Sequence, residues 1–244
     1  MKLANAEFGL VQHCIDALTE KLAALHLSIV IEQDFRALVD FLRASNAHNL
    51  NPTFDPAHND LSSKAFWLRV IDEKGETVAS QAQRIFETED FCDLVQTGML
   101  WYPNGLTLKD GQAPLRIHRP SMMVGGTVAH AGGLWVNPRF RKMGVSLYLP
   151  YLARALVLRN YEPDFITCIV LASMGKTALP MSAYGYRHVE PCASGWIPPV
   201  NRNDAIDLCY LTQAEAIEQI RELPQHPHYP VPLPVAAVQE KLLA

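Results

Sequence analysis

Three cations crowd one junction of the chain. In 134-LWVNPRFRKMGVSLYL-149 an apolar strand end runs into a basic turn and then a helix, with Arg139, Arg141 and Lys142 at the turn and Gly144 just beyond. A helix start leaves about four backbone N–H groups without intrahelical partners, and their partial positive charge favours an anion there. Arg141 and Lys142 add full charges, and Gly144 lets the backbone approach a phosphate with no side chain in the way. Cations at a helix N-terminus oppose the helix dipole, so a merely solvated basic turn is an unfavourable placement that a bound anion would relieve. Each charge-assisted hydrogen bond contributes about 1.5–3 kcal/mol, so several together could hold a pyrophosphate. The turn matches neither G-x-x-x-x-G-K-[ST] nor G-x-G-x-x-G, so neither a P-loop nor a Rossmann turn is indicated.

The elements that must position this turn can be read from periodicity. Residues 5–25 repeat Leu10, Val11, Cys14, Leu18, Leu22 and Leu25 at helical spacing. A short strand, 27-LSIVIEQ-33, precedes Asp34, which is placed to cap a helix over 35–47 with Phe35, Leu38, Val39 and Leu42 on one face. Residues 48–62 form a loop rich in Asn, Asp and Pro. A hairpin follows, 65–72 and 77–87, turned at Gly75. Residues 88–120 read as an insertion holding a short helix around 90–98 and a short strand at 106–108.

Strand 122–136 contains two Gly-Gly pairs, the mark of a bulge or a close backbone approach. The helix from about 144 to 160 is apolar almost all round and so should be buried, with Pro150 expected to kink or split it. Strand 165–172 is a continuous apolar run suited to a sheet centre. A short helix over 176–184 ending at Gly185, strands 186–192 and 205–211, and a final helix opened by a Thr212–Glu215 capping box complete the order. That order gives an α/β (α+β) chain, a mixed sheet flanked by helices. The domain expectation is one unit over 1–244: an N-terminal helical extension to 26, a core over 27–211 with the insertion at about 88–120, and a C-terminal helix and tail over 212–244. The tail 223-LPQHPHYPVPLPV-235 should be polyproline-like, either a docking arm across a homodimer or a surface-hugging tail.

Bulk properties narrow the partners. The net charge is -4 over 244 residues, so anion binding must be local, and no basic groove or aromatic run suggests nucleic acid. Five scattered cysteines without a C-x-x-C pair suggest neither disulfides nor zinc and fit a reducing cytoplasm, with Cys168 in an apolar run expected to be an inert thiol. No apolar run reaches the ~18 residues of a membrane span, and no signal-peptide pattern is expected from the first residues.

The segment 141-RKMGVS-146 resembles the hallmark of the GNAT superfamily of N-acetyltransferases, [QR]-x-x-G-x-[GA] following a strand and opening a helix. The preceding 134-LWVNPRF-140 is similar to that family's strand end and Pro-containing turn. The later 178-ALPMSAYGY-186 resembles its closing pattern, with Gly185 and Tyr186 as the final pair. Element order agrees from about residue 27 to 211. The resemblance implies a mixed, largely antiparallel sheet of the GNAT-like acyl-CoA acyltransferase fold, with acetyl-CoA or another acyl-CoA as co-substrate and no metal. It implies that the backbone of Arg141, Lys142, Met143, Gly144, Val145 and Ser146 holds the pyrophosphate. It implies that Leu134, Trp135 and Val136, splayed from strand 165–172, pair with the pantetheine arm. Direct transfer to the amine of a small molecule or amino acid would follow.

Three positions depart from the pattern. Ser146 stands where the family prefers Gly or Ala, Gly175 where an Asn is common, and Met181 where a Tyr often protonates the leaving thiolate. Tyr184, Ser182 or water are left for that role. His130, upstream of the turn, is the candidate base by its pKa class, the plain alternative being a partly buried histidine bonded to backbone. Glu87, Glu89 and His118 are further candidates, and His226 and His228 lie in the tail. The competing function is a non-catalytic CoA-binding or interaction module on the same fold.

Overall fold

The computed structural model describes residues 2–45 and 50–225 of the protein. The Pro-rich tail beyond 225, with His226 and His228, lies outside the described residues. Helix α1 (Asn5–Ala23) buries Val11, Cys14, Ile15, Leu18 and Leu22 along one stripe, as the helical spacing predicts. Strand β1 (Ser28–Glu32) leads to α2 (Phe35–Ala44), where Asp34 caps as expected: its Oδ1 accepts from the N–H of Arg36 at 2.9 Å and of Ala37 at 3.3 Å. The hairpin β2 (Ala65–Ile71) and β3 (Thr77–Thr88) turns through Gly75, whose φ is +79°. Helix α3 (Phe91–Thr97) starts at Asp90 and stops at Gly98.

Then come β4 (Arg116–Ile117), β5 (Gly126–Val136), α4 (Val145–Tyr161) and β6 (Phe165–Leu171). Two single turns, α5 (Ala172–Gly175) and α6 (Leu179–Ser182), precede β7 (His188–Ile197), β8 (Arg202–Thr212) and α7 (Gln213–Glu222). Among the described residues eight strands form one sheet in the order β1-β2-β3-β5-β6-β8-β7-β4. Only β5 and β6 pair in parallel; the other neighbours are antiparallel. The expected architecture, a mixed and largely antiparallel sheet flanked by helices, is the one found.

One face of the sheet packs α1, α4 and α7 into a single core that includes Leu18, Leu22, Leu149, Leu156, Ile217 and Ile220. The opposite face is covered by α2, a 3-10 turn at Pro52–Phe54, and α3 with the residues after it, in two smaller clusters. Helix α4 is buried nearly all round and runs unbroken through Pro150. The loss of one intrahelical hydrogen bond at Pro150 is outweighed by packing on every side.

Four local expectations are corrected. Residues 106–108 form no strand, because the Leu106 N–H donates to the Thr97 carbonyl at the end of α3 (2.9 Å). Residues 122–125 precede β5 and are fastened to α3, the Val124 carbonyl accepting from the Phe91 N–H at 2.7 Å. The helix expected over 176–184 is instead the single turn α6, with Pro180 in its first turn where the missing N–H costs nothing. Strands β7 and β8 extend further than expected, to Ile197 and from Arg202, because they pair with each other along that length.

Candidate active site

The sheet opens at its one parallel pair. Strands β5 and β6 pair from Val128 with Phe165 to Ala131 with Cys168 and no further. Beyond that point β5 continues to Val136 beside β3, and β6 continues to Leu171 beside β8. The cause lies in β5. Between Ser80 and Ala82 of β3 the partners jump from Trp135 to Gly132, which puts an extra residue on β5. Gly133 takes that place with φ +61°, a conformation that favours glycine, and its carbonyl accepts from Ser80 Oγ at 3.0 Å. A Cβ at Gly132 would fall on the Phe54 ring. The glycines that sequence marked as a bulge thus divide the sheet into two diverging edges.

The basic turn sits where β5 ends. Asn137 caps a 3-10 turn at Pro138–Phe140, its Oδ1 accepting from the Arg139 N–H at 3.0 Å. Lys142 and Gly144 then both adopt positive φ, +64° and +87°. Phe140, Met143 and Val145 anchor the turn in the core, while Arg139, Arg141, Lys142 and Ser146 are exposed. No side chain caps α4. Among the described residues, no backbone carbonyl accepts from the N–H groups of Lys142, Met143, Gly144, Val145 or Ser146. This uncapped helix start, with the exposed Lys142 beside it, is a cradle suited to an anion. Arg141 turns back toward the strand end, where its Nε donates to the Val136 carbonyl at 3.4 Å.

Two cavities meet at the splay. The larger, of about 590 Å³, lies on the α2 side and is lined by Gly133, Leu134, Trp135, Arg141 and His130, among others. The smaller, of about 200 Å³, lies on the α4 side, with Pro150, Cys168, Tyr184 and Tyr186 in its wall. Gly133, Leu134, Ile169, Val170 and Met174 line both. Of the residues singled out from sequence, Leu134, Trp135, Arg141, His130 and Tyr184 therefore converge on one locus. Met143 and Val145 line neither cavity, their side chains being core, and neither do Val136, Lys142, Gly144 or Ser146. Trp135 is held edge-on by Phe41, ring centroids 5.1 Å apart.

His130 requires a correction. It lines the larger cavity but is enclosed by Phe54, Phe86 and Phe91 at 6.2, 6.4 and 5.2 Å between centroids. Burial, with a smaller contribution from the Arg84 guanidinium, pushes the imidazole down to about 3. A base of near-neutral pKa, the property for which sequence favoured it, is not what this environment provides. Its Nδ1 lies 3.0 Å from Thr167 Oγ1, which donates to the Ala129 carbonyl at 3.4 Å. In the tautomer that has Thr167 donating to that carbonyl, Nδ1 carries the proton and Nε2 is an acceptor. The plain alternative to the base role was a bond to backbone; the partner is the Thr167 side chain.

The other candidates separate. Burial raises the Tyr184 phenol above its ordinary value, with the nearby Cys168 adding to the rise, so it stays protonated at neutral pH. Met181 is 54% exposed and lines neither cavity. A Cβ at Gly175 would fall on Asp207 Oδ2, so an Asn there would require the Asp207 side chain to move. Ser182 Oγ donates to the Ala178 carbonyl at 2.7 Å. Glu87 is exposed and held by Lys64 and Thr127, each at 3.0 Å. Glu89 and His118 are exposed and line neither cavity.

Sequence missed several wall residues. Trp101 comes from the inserted segment, Ile197 and Ile206 from β7 and β8, and Val200 from the 3-10 turn between those strands, none of which a motif links to the basic turn. Buried Gln81 lines the smaller cavity with its Oε1 unpartnered; it lies in a strand of mixed polarity, where nothing local singles it out. Arg154 is fully buried on α4, its Nη1 donating to Gln219 Oε1 at 2.6 Å and its Nη2 to the Tyr184 carbonyl at 2.7 Å. Among the described residues no group of three His, Cys, Asp or Glu is placed to hold a metal ion, and no helix is long and apolar enough to cross a membrane.

No protein-family model matches the chain, and no curated protein matches it. Among solved structures it is similar to a spermidine/spermine N-acetyltransferase from Vibrio cholerae in complex with manganese ions, at 10% identity over 80% of this chain and 98% of that one, with a TM-score of 0.47. It is also similar to a dodecameric spermidine N-acetyltransferase from Vibrio cholerae, at 11% identity, 78% and 95% coverage and a TM-score of 0.46. A ribosomal-protein-S5-alanine acetyltransferase from Vibrio fischeri is similar at 10% identity, 77% and 93% coverage and a TM-score of 0.46. All three are acetyltransferases.

Proposed function

We propose that this protein is an acyl-CoA-dependent N-acyltransferase, with acetyl-CoA the expected donor and a small-molecule amine the acceptor. One observation carries the reading: β5 parts from β6 at a glycine bulge beside the uncapped, basic start of α4. A diphosphate with a long, thin amide-bearing arm fits that pairing of features. The backbone of Arg141–Ser146 holds the pyrophosphate, and Lys142 supplies charge. The free edge of β5 at Leu134–Val136 offers backbone donors and acceptors to the pantetheine amides. The thioester then lies where the two cavities meet, with the acceptor in the larger one.

In the transfer step the amine nitrogen attacks the thioester carbonyl, a C–N bond forms and the C–S bond breaks. The amine proton passes to water, because an imidazole held near 3 cannot keep it; His130 Nε2 orients the amine by accepting a hydrogen bond. The leaving thiolate takes a proton from Tyr184, which is restored from solvent. A second reading, CoA binding without transfer, is favoured by the exposed Met181 at the position where the resemblance calls for a proton donor. Five free thiols suit a reducing compartment, and the reading places the protein in the cytoplasm.

Mixing the protein with acetyl-CoA and a panel of amines and following free thiol tests the proposal. Thiol release that depends on both protein and amine is expected. CoA binding with no turnover would leave only the second reading, and thermal stabilisation by ATP but not by CoA would remove both.

A further inference from the structure

We infer that the larger cavity is an acceptor subsite for a primary amine with an uncharged apolar tail, aryl or branched alkyl, and that it rejects polyamines. This rests on the donor reading above for where the thioester lies. The splayed edges and Arg141 belong to the donor side of the cavity. The remaining wall is formed by Leu42, Trp101, Ile197, Pro199, Val200 and Ile206, with Asn51 and His130 as its polar members. Trp101, Ile197 and Ile206 are 1–2% exposed and therefore fixed by packing. No carboxylate lines the cavity among the described residues, and 46–49, which join α2 to the segment beginning at Leu50, read Asn-Ala-His-Asn.

The charge balance selects the ligand. The one ionised wall residue among those described is a cation, Arg141. An ammonium entering here loses its hydration and meets like charge, so the neutral amine is favoured. The neutral form is also the nucleophile, which removes the need for a strong base. A polyamine brings further ammonium groups that find no carboxylate among the described wall residues. Side-chain acceptors on the wall are few: Asn51 Oδ1, which already accepts from the Thr53 N–H at 3.1 Å, and His130 Nε2, enough for a single amine. A volume of about 590 Å³ lies in the range of small-molecule sites, where apolar walls with a few placed polar groups set orientation.

The test uses the whole chain at pH 8 with saturating CoA. Calorimetric titration compares 2-phenylethylamine, isoamylamine, putrescine and spermidine, and free-thiol release from acetyl-CoA is measured with the same amines. Phenylethylamine is expected to bind at least tenfold more tightly than spermidine and to be the better acceptor. Val200→Asp, at a half-buried wall position, should weaken phenylethylamine at least fivefold and narrow its lead over spermidine, with CoA affinity unchanged as the check on folding. Equal or tighter binding of spermidine, or no binding of either apolar amine, overturns the inference even if acyl transfer occurs. Binding of phenylethylamine without thiol release sustains the subsite and sinks the transfer reading instead.

Discussion

The imidazole of His130 is enclosed by three phenylalanine rings and tied to Thr167, and that enclosure sets its chemistry. Its pKa falls from 6.5 to about 3 on folding, so between those values the unfolded chain binds a proton that the native state does not. The stability held above pH 6.5 is therefore lost as pH falls toward 3, at up to ~1.4 kcal/mol per pH unit from this group. Urea denaturation at pH 7.5 and 5.0 should show a steeper loss for the wild type than for His130→Gln; equal slopes would contradict the burial argument. At the turn, Gly144→Asp places a carboxylate in the amide cradle at a φ of +87°, and Arg141→Glu reverses a charge. Each should weaken CoA at least tenfold by calorimetric titration. Unchanged affinity in both would remove the pyrophosphate assignment.

At the scale of elements, the bulge in β5 is the decisive device. Gly132 faces the Phe54 ring and Gly133 supplies the positive φ, so the strand turns away from β6 after Ala131. Gly132→Ala should cost about 1–3 kcal/mol through overpacking, read as a lowered midpoint in chemical denaturation, because Phe54 lies in a packed cluster with little room to yield. The caps behave locally: Asp34→Ala should cost about 1 kcal/mol and leave CoA affinity untouched. Caps, the hairpin and the buried helix were legible in sequence because each depends on residues a few positions apart. The false strand at 106–108 and the overlong strand start at 122 were not, because α3 claims those backbone groups from a distance.

Across the whole molecule, α4 joins both ends of the site: its N-terminus carries the amide cradle, and Arg154, two turns further on, fixes the chain at Tyr184. The guanidinium lies over the rings of Tyr151 and Tyr186 at 4.9 and 5.3 Å. Arg154→Ala should destabilise the protein by at least ~2 kcal/mol, since it leaves a void and unpartnered polar groups; Arg154→Met should recover part of the loss by refilling the space. Denaturation midpoints of the two variants check this, and equal losses would count against the packing share of the effect. The sequence by itself determined the order of the main elements, the glycines of the bulge, the basic turn and the uncapped helix start, all set by local spacing and backbone preference. Only the tertiary structure decided that His130 is too deeply buried to act as a near-neutral base, that Tyr184 and not Met181 lines the splay, and that the cavity wall is apolar and free of carboxylates among the described residues. Those properties arise where α2, the inserted segment, β7 and β8 converge. Desolvation and cavity shape depend on such distant neighbours, which no local pattern in the chain records.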